Sequence, residues 1–226
     1  FPADAKIIQI DIEPEEIGAN RGVEVGIVGD AKAVLGQLLA ELEGPAGLAQ
    51  QAEAGPWPAA LREQVEKNAA ALALLLEYNG TPIRTHRLLR EVRDVFPRET
   101  IFTVDGQLTL AAGRQVLGSY TPASRLNSGS NGCMGVGVPF AIGAKLARPE
   151  VPVVSINGDC AFGFNAMELE TAVRCRLPIV FIVNNNSGIV GSNLETRMGL
   201  PAGYEEHVAT YIPDIRYDKI LEAFGG

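Results

Sequence analysis

Sulfur, imidazole and positive charge are all scarce in this chain. Among its 226 residues there are three cysteines, Cys133, Cys160 and Cys175, an odd set with no CxxC or Cys/His spacing. That argues against a disulfide framework or a zinc site and fits a reducing compartment. The two histidines, His86 and His207, have no metal-site partner three or four residues away, so each reads as an exposed or helix-surface residue. Lys and Arg number 19 against 27 Asp and Glu, a formal net charge of −8, and the basic footprint of a nucleic-acid or anionic-lipid binder is missing. No apolar run reaches the ~20 residues of a membrane-spanning helix. The opening "FPADAKIIQIDIEPEE" is not a signal peptide. The expectation is a cytoplasmic protein that binds neither nucleic acid nor membrane.

What is present is an ordinary globular composition, 46% hydrophobic and 20% charged. The chain opens on a strand-like segment at Phe1 and closes on "DKILEAFGG", a helix stopped by Gly225-Gly226. It reads as a piece of something longer. Residues 5–12 and 25–28 read as strands, and 30–42 as a helix with Asp30 at its N-cap. The Gly-, Ala- and Pro-rich stretch that follows reads as a connection, and 61–80 as a helix. From Thr81 the pattern alternates: helix 82–96, strand 100–106, helix 134–147, strand 151–157, helix 165–175, strand 178–184. Near-continuous apolar strands between helices predict an α/β fold, a parallel sheet with helices on both faces.

Two strands end in polar residues. "VVSINGDCAFGF" runs into Gly158-Asp159, and "LPIVFIVNNNSGIV" into Asn184, Asn185, Asn186 and Gly188. In an open parallel sheet, ligands bind beyond the carboxyl ends of the strands. Asp159 and Asn186 are 27 positions apart, about one strand–helix–strand unit, so their oxygens can converge. A carboxylate, an amide oxygen and a main-chain carbonyl are hard ligands that suit Mg²⁺ or Ca²⁺. A divalent ion together with exposed N–H groups would let an acidic protein hold a diphosphate. Taken singly, each motif could be a turn with a helix cap.

These residues resemble a known pattern. Gly158-Asp159 followed by Asn185-Asn186 is similar to the thiamine-diphosphate (ThDP) motif, Gly-Asp-Gly, about thirty residues, Asn-Asn. The resemblance implies that Asp159, Asn186 and the carbonyl of Gly188 hold Mg²⁺ on the cofactor's diphosphate. Upstream, "SNGCMGVGVPFAIGAKLA" looks like the segment that grips the aminopyrimidine. By that likeness Gly132 accepts from the 4′-amino group, Cys133 lies between, and Met134 wedges the two rings into a bent conformation. "FTVDGQ" adds Gly106 and Gln107 as diphosphate contacts, and Cys160, Ala161, Ile189 and Val190 complete the implied cofactor-binding set.

The resemblance is to the acetolactate-synthase-like ThDP enzymes. Residues 81–226 are expected to form a diphosphate-binding (PP) domain truncated at its C-terminus, residues 44–80 a linker and connecting helix, and residues 1–43 the end of a Rossmann-like central domain. Some members hold ADP or FAD in that domain, with an acid at the position of Asp11; here a structural Asp11 is an equal reading. "GDCAFGFNAMELET" is closest to 2-hydroxyacyl-CoA lyases and oxalyl-CoA decarboxylases. The implied function is C–C cleavage next to a carbonyl in a 2-hydroxyacyl-CoA. The alternatives are oxalyl-CoA decarboxylation, acetolactate-synthase-like carboligation, or a non-catalytic cofactor-binding subunit. Glu168 and Glu170 read as structural. Cys160 stands where the motif usually has Gly and reads as a small spacer; Val190 stands where the branch commonly has Tyr and removes its hydroxyl. The glutamate that works on the cofactor ring lies on a pyrimidine-binding (PYR) domain, which no residue here supplies. The implied partners are therefore that domain, from the same or a neighbouring subunit of a homodimer or homotetramer, and an acyl-CoA substrate.

Overall fold

In the computed structural model, residue 2 and residues 4–43, 55–189 and 209–226 are described. The chain divides into two units, Phe1–Val65 and Glu66–Gly226. In the first, strand β1 (Ile8–Asp11) pairs in parallel with β2 (Val25–Val28), and helix α1 (Ala31–Glu43) follows. Asp30 caps α1 as its sequence implies, its Oδ1 accepting the Ala33 N–H at 2.9 Å.

Helix α2 (Trp57–Leu76) begins four residues before the expected start. Pro58 falls in its first turn, where a missing N–H costs nothing and the fixed φ favours the helix. From Glu66 on, α2 belongs to the second unit, where Leu72 and Leu76 pack on the core.

The second unit is a parallel sheet of order β4-β3-β5-β6: β3 (Ile101–Asp105), β4 (Arg125–Leu126), β5 (Val153–Gly158) and β6 (Ile179–Asn184). Alternation assigns the two faces. Phe102, Val104, Val154 and Ile156 point to one side, where Leu89 and Val92 of α3 (Thr85–Val95) and Ala112 and Val116 of α4 (Gln107–Val116) cover them. Ile101 and Val153 point to the other side, against Ala141 and Ala144 of α5 (Gly137–Ala147). Further along that side lie Phe162 of α6 (Asp159–Asn165), Leu169 and Ala172 of α7 (Leu169–Arg174), and Leu221 of α8 (Asp218–Ala223). The expected α/β sheet covered on both faces is borne out.

Three local readings differ. Helix α4, whose buried face is Thr109, Ala112, Gly113 and Val116, and the two-residue β4 were not expected from the sequence. The helix expected over 165–175 begins at Asp159 and breaks at Asn165, which leaves helical geometry (φ −137°) to donate its side-chain N–H to the Gly135 carbonyl at 2.7 Å. Strand β6 is half-buried rather than fully buried.

Leu89 is 0% exposed at the centre of the α3/α4 layer. Leu89→Ala is expected to cost about 2–5 kcal/mol, read as a lowered urea midpoint at unchanged slope by far-ultraviolet circular dichroism. A shift worth less than about 1 kcal/mol would mean that this layer does not carry the core.

Candidate metal and cofactor site

The order β4-β3-β5-β6 places the chain's next strand after β3 on one side and β5 on the other. A crevice opens beyond the carboxyl ends where such an order reverses. Here two strand ends nearly touch. Gly106 has φ +89°, and a Cβ on it would lie 3.1 Å from Gly158 N and 3.2 Å from Gly158 Cα. Any side chain at 106 would be strained and would force β3 and β5 apart.

Down the α5 side of the sheet, β3 reads Ile101, Thr103, Asp105 and β5 reads Val153, Ser155, Asn157, so polarity rises toward the strand ends. Thr103 Oγ1 lies 2.9 Å from both the Gly137 carbonyl and Ser155 Oγ, and Asn157 Nδ2 donates to Ser155 Oγ at 2.9 Å. Asp105, 2% exposed, organises the loops above. Its Oδ1 accepts from Gly106 N at 2.7 Å, and its Oδ2 from Gly135 N at 2.9 Å and Gly137 N at 2.8 Å. One buried carboxylate thus ties the head of α4 to the turn before α5. A Cβ on Gly137 would sit 1.9 Å from Asn157 Oδ1, which excludes any other residue there.

Asp159 is also 2% exposed. Its Oδ1 accepts from Cys160 N at 2.8 Å and its Oδ2 from Gly188 N at 3.0 Å. Gly158 stands opposite Asn184 in the β5–β6 register, so the turn after β6 begins beside Asp159 and the Asn186 side chain reaches its carboxylate. The Asn186 amide has two possible orientations. With its NH₂ inward it donates to the Gly188 carbonyl at 2.9 Å and to Asp159 Oδ1 at 3.0 Å. With its oxygen inward, that oxygen faces the Gly188 carbonyl and Asp159 Oδ1 at those same separations. The edge of an octahedron with metal–oxygen distances near 2.05 Å is about 2.9 Å, so this donor set fits Mg²⁺. Among the described residues no cluster of His, Cys, Asp or Glu offers a second ligand set.

Every residue named from the sequence as cofactor-binding, Val190 excepted, lines one cavity of about 530 Å³: Gly106, Gln107, Gly132, Cys133, Met134, Gly158, Asp159, Cys160, Ala161, Asn186, Gly188 and Ile189. Val190 and His207 lie outside the described residues. No side chain caps the start of α4, so the N–H groups of its first turn, which lines the cavity, are left for a ligand. Gly132 sits at φ +65° with nothing within 4 Å of a Cβ, and Met134, 38% exposed, projects beside it. Such glycine-lined open space fits an anionic cofactor.

Several contributors were not read from the sequence. Asp105, like Asp159 an acid beside a glycine at a strand end, was legible in principle. Asn184 donates to Thr85 Oγ1 at 3.0 Å and Thr109 Oγ1 at 3.2 Å, pinning the end of β6 to α3 and α4. Burial, the neighbouring Cys160 side chain and the nearby Asp159 charge hold the Tyr211 hydroxyl above the usual range. Burial and the charge of Asp159 likewise raise Tyr217, whose ring meets Phe162 edge-on at 5.7 Å. Both phenols therefore stay protonated near neutrality. His86 pairs with Gln115 at 3.2 Å, Glu170 with Arg174 at 2.9 Å, and Asp11 Oδ1 accepts from Glu13 N at 3.0 Å, all surface roles.

Fold and site together define an α/β domain that takes its ligand beyond the carboxyl ends of a parallel sheet. Residues 105–226 match the family described as "Thiamine pyrophosphate enzyme, C-terminal TPP binding domain" and residues 1–38 the corresponding "central domain". The chain belongs to the thiamine pyrophosphate (ThDP) enzyme family. Among its relatives are 2-hydroxyacyl-CoA lyase of Oryza sativa subsp. japonica (36% identical over 99% of this chain and 39% of that protein) and human 2-hydroxyacyl-CoA lyase 1 (35%, over 100% and 40%). Oxalyl-CoA decarboxylase of Escherichia coli strain K12 is 36% identical over 100% of this chain and 39% of that protein. The chain spans about two fifths of the length of these relatives.

Asp105→Ala would leave three main-chain N–H groups without their acceptor. The expected cost is about 3 kcal/mol or more, measured by urea denaturation. Asp105→Asn, which turns one acceptor oxygen into a donor facing N–H groups, is expected to recover little of it. A loss below about 0.5 kcal/mol for Asp105→Ala would show that the Gly135–Gly137 turn holds without this carboxylate.

Proposed function

We propose that this chain carries the Mg²⁺- and diphosphate-binding half of the active site of a ThDP-dependent carbon–carbon lyase acting on a 2-hydroxyacyl-CoA. The observation that carries the reading is the convergence of Asp159 Oδ1, the Asn186 side chain and the Gly188 carbonyl at 2.9–3.0 Å. In this reading those three oxygens hold the metal. The unfilled first turn of α4 and the bare backbone of Gly106 and Gly158 receive the diphosphate, and Gly132 and Met134 orient the organic end. When bound, ThDP supplies the carbanion-stabilising chemistry. The protein residues hold and orient it and keep water from the buried carboxylates. The missing glutamate would come from a PYR domain of the same or a neighbouring subunit, in a homodimer or homotetramer.

Two likenesses support the substrate class: the names of the relatives and the "GDCAFGFNAMELET" segment. Oxalyl-CoA decarboxylation is the competing reaction, since a relative of that name is equally similar.

Titration of ThDP with and without Mg²⁺ is expected to show metal-dependent binding that Asp159→Ala abolishes. Binding without metal, or an unaffected mutant, would remove the site assignment. In the full-length parent, aldehyde release from a 2-hydroxyacyl-CoA is expected; CO₂ release from oxalyl-CoA with no aldehyde would transfer the assignment to the decarboxylase.

A further inference from the structure

We infer that residues 209–211 form a positioning strap that aims the Gly188 carbonyl at the metal. The inference rests on the reading of the Asn186–Gly188 turn as a metal site. A main-chain ligand has no side chain to orient it; the planes of its two flanking peptides set its direction. Peptide groups are planar and trans, so within each the C=O and N–H point in opposite directions.

The segment after the long 190–208 stretch fixes both planes. Gly188 and Thr210 form an antiparallel bridge. Ile189 N donates to the Ala209 carbonyl at 2.7 Å, and this turns the other end of the same peptide, the Gly188 C=O, the opposite way, toward Asn186 and Asp159. Tyr211 N donates to the Ser187 carbonyl at 2.8 Å. The opposite end of that peptide, the Gly188 N–H, consequently points at Asp159 Oδ2, 3.0 Å away. The strap lies so close that a Cβ on Gly188 would come within 2.5 Å of the Ala209 oxygen. Glycine at 188 thus permits the close approach that orients the turn.

The test separates the Tyr211 N–H from its side chain. Mn²⁺ binding in the presence of ThDP is followed by the electron paramagnetic resonance of free Mn²⁺. Tyr211→Pro, and an amide-to-ester replacement at residue 211 that removes only the N–H, are expected to weaken Mn²⁺ binding about tenfold. Tyr211→Phe, which keeps the N–H, should stay within about threefold of the parent. Hydrogen exchange at the Ile189 amide should accelerate in the first two variants and not in the third. An ester variant that binds Mn²⁺ like the parent overturns the strap alone, as does Tyr211→Phe weakening binding as much as the ester. If the parent binds no Mn²⁺ while ThDP is present, the metal reading falls and the strap falls with it.

Discussion

The parallel register of β3, β5 and β6 is the constraint on which the site depends. Asp105 stands opposite Asn157, and Gly158 opposite Asn184. That alignment brings the two acids and the asparagine turn to one level at the strand ends. The register is enforced because both faces of the central strands are buried. Val154 and Ile156, both fully buried, face the α3/α4 layer, whereas Ser155 and Asn157 face α5. A slip of one residue would drive Ser155 and Asn157 into the apolar layer and turn the aliphatic residues toward the polar loops. The packing that stabilises the sheet and the geometry that places the ligands are therefore one requirement.

Within that frame, two carboxylates of equal burial do different work. Three main-chain N–H groups use both oxygens of Asp105, making it a structural knot that shapes two loops. Asp159 receives two N–H groups and still presents Oδ1 to the Asn186 side chain, which also meets the Gly188 carbonyl. An oxygen set that faces other oxygens is repulsive unless a cation or a turned amide lies among them. This also accounts for how a chain of net charge −8 can receive a diphosphate. In the proposed reading the attraction is local, from a bound metal and from main-chain N–H groups, and it survives an unfavourable overall charge because it acts at contact distance.

Much of this was legible in the sequence, for identifiable reasons. Buried parallel strands are nearly uniform apolar runs, and their ends show as abrupt polar residues, so Asp159 and Asn186 stood out by type and spacing. Helix α4 was not legible because its buried face, Thr109, Ala112, Gly113 and Val116, is mostly small or polar and shows no large apolar stripe. The break at Asn165 depends on a bond to Gly135, thirty positions away, which no local pattern encodes. Asp105 was legible by type, as an acid beside a glycine at a strand end, but not by role, because its partners are main-chain N–H groups, and these carry no residue identity.

The same distinction separates the two kinds of ligand at the metal site. A carboxylate or amide ligand announces itself by residue type, and a motif records it. A carbonyl ligand is chemically the same at every position, so its selection lies in whatever turns the peptide. At Gly188 that influence comes from Ala209 and Tyr211, across a stretch of chain as long as a strand–helix unit, through bonds that any non-proline residue at 211 could make. Sequence at the strap is free to vary in side chain while its path is not. In the proposed site the motif alone therefore describes two of the three protein ligands; the third is specified by the fold.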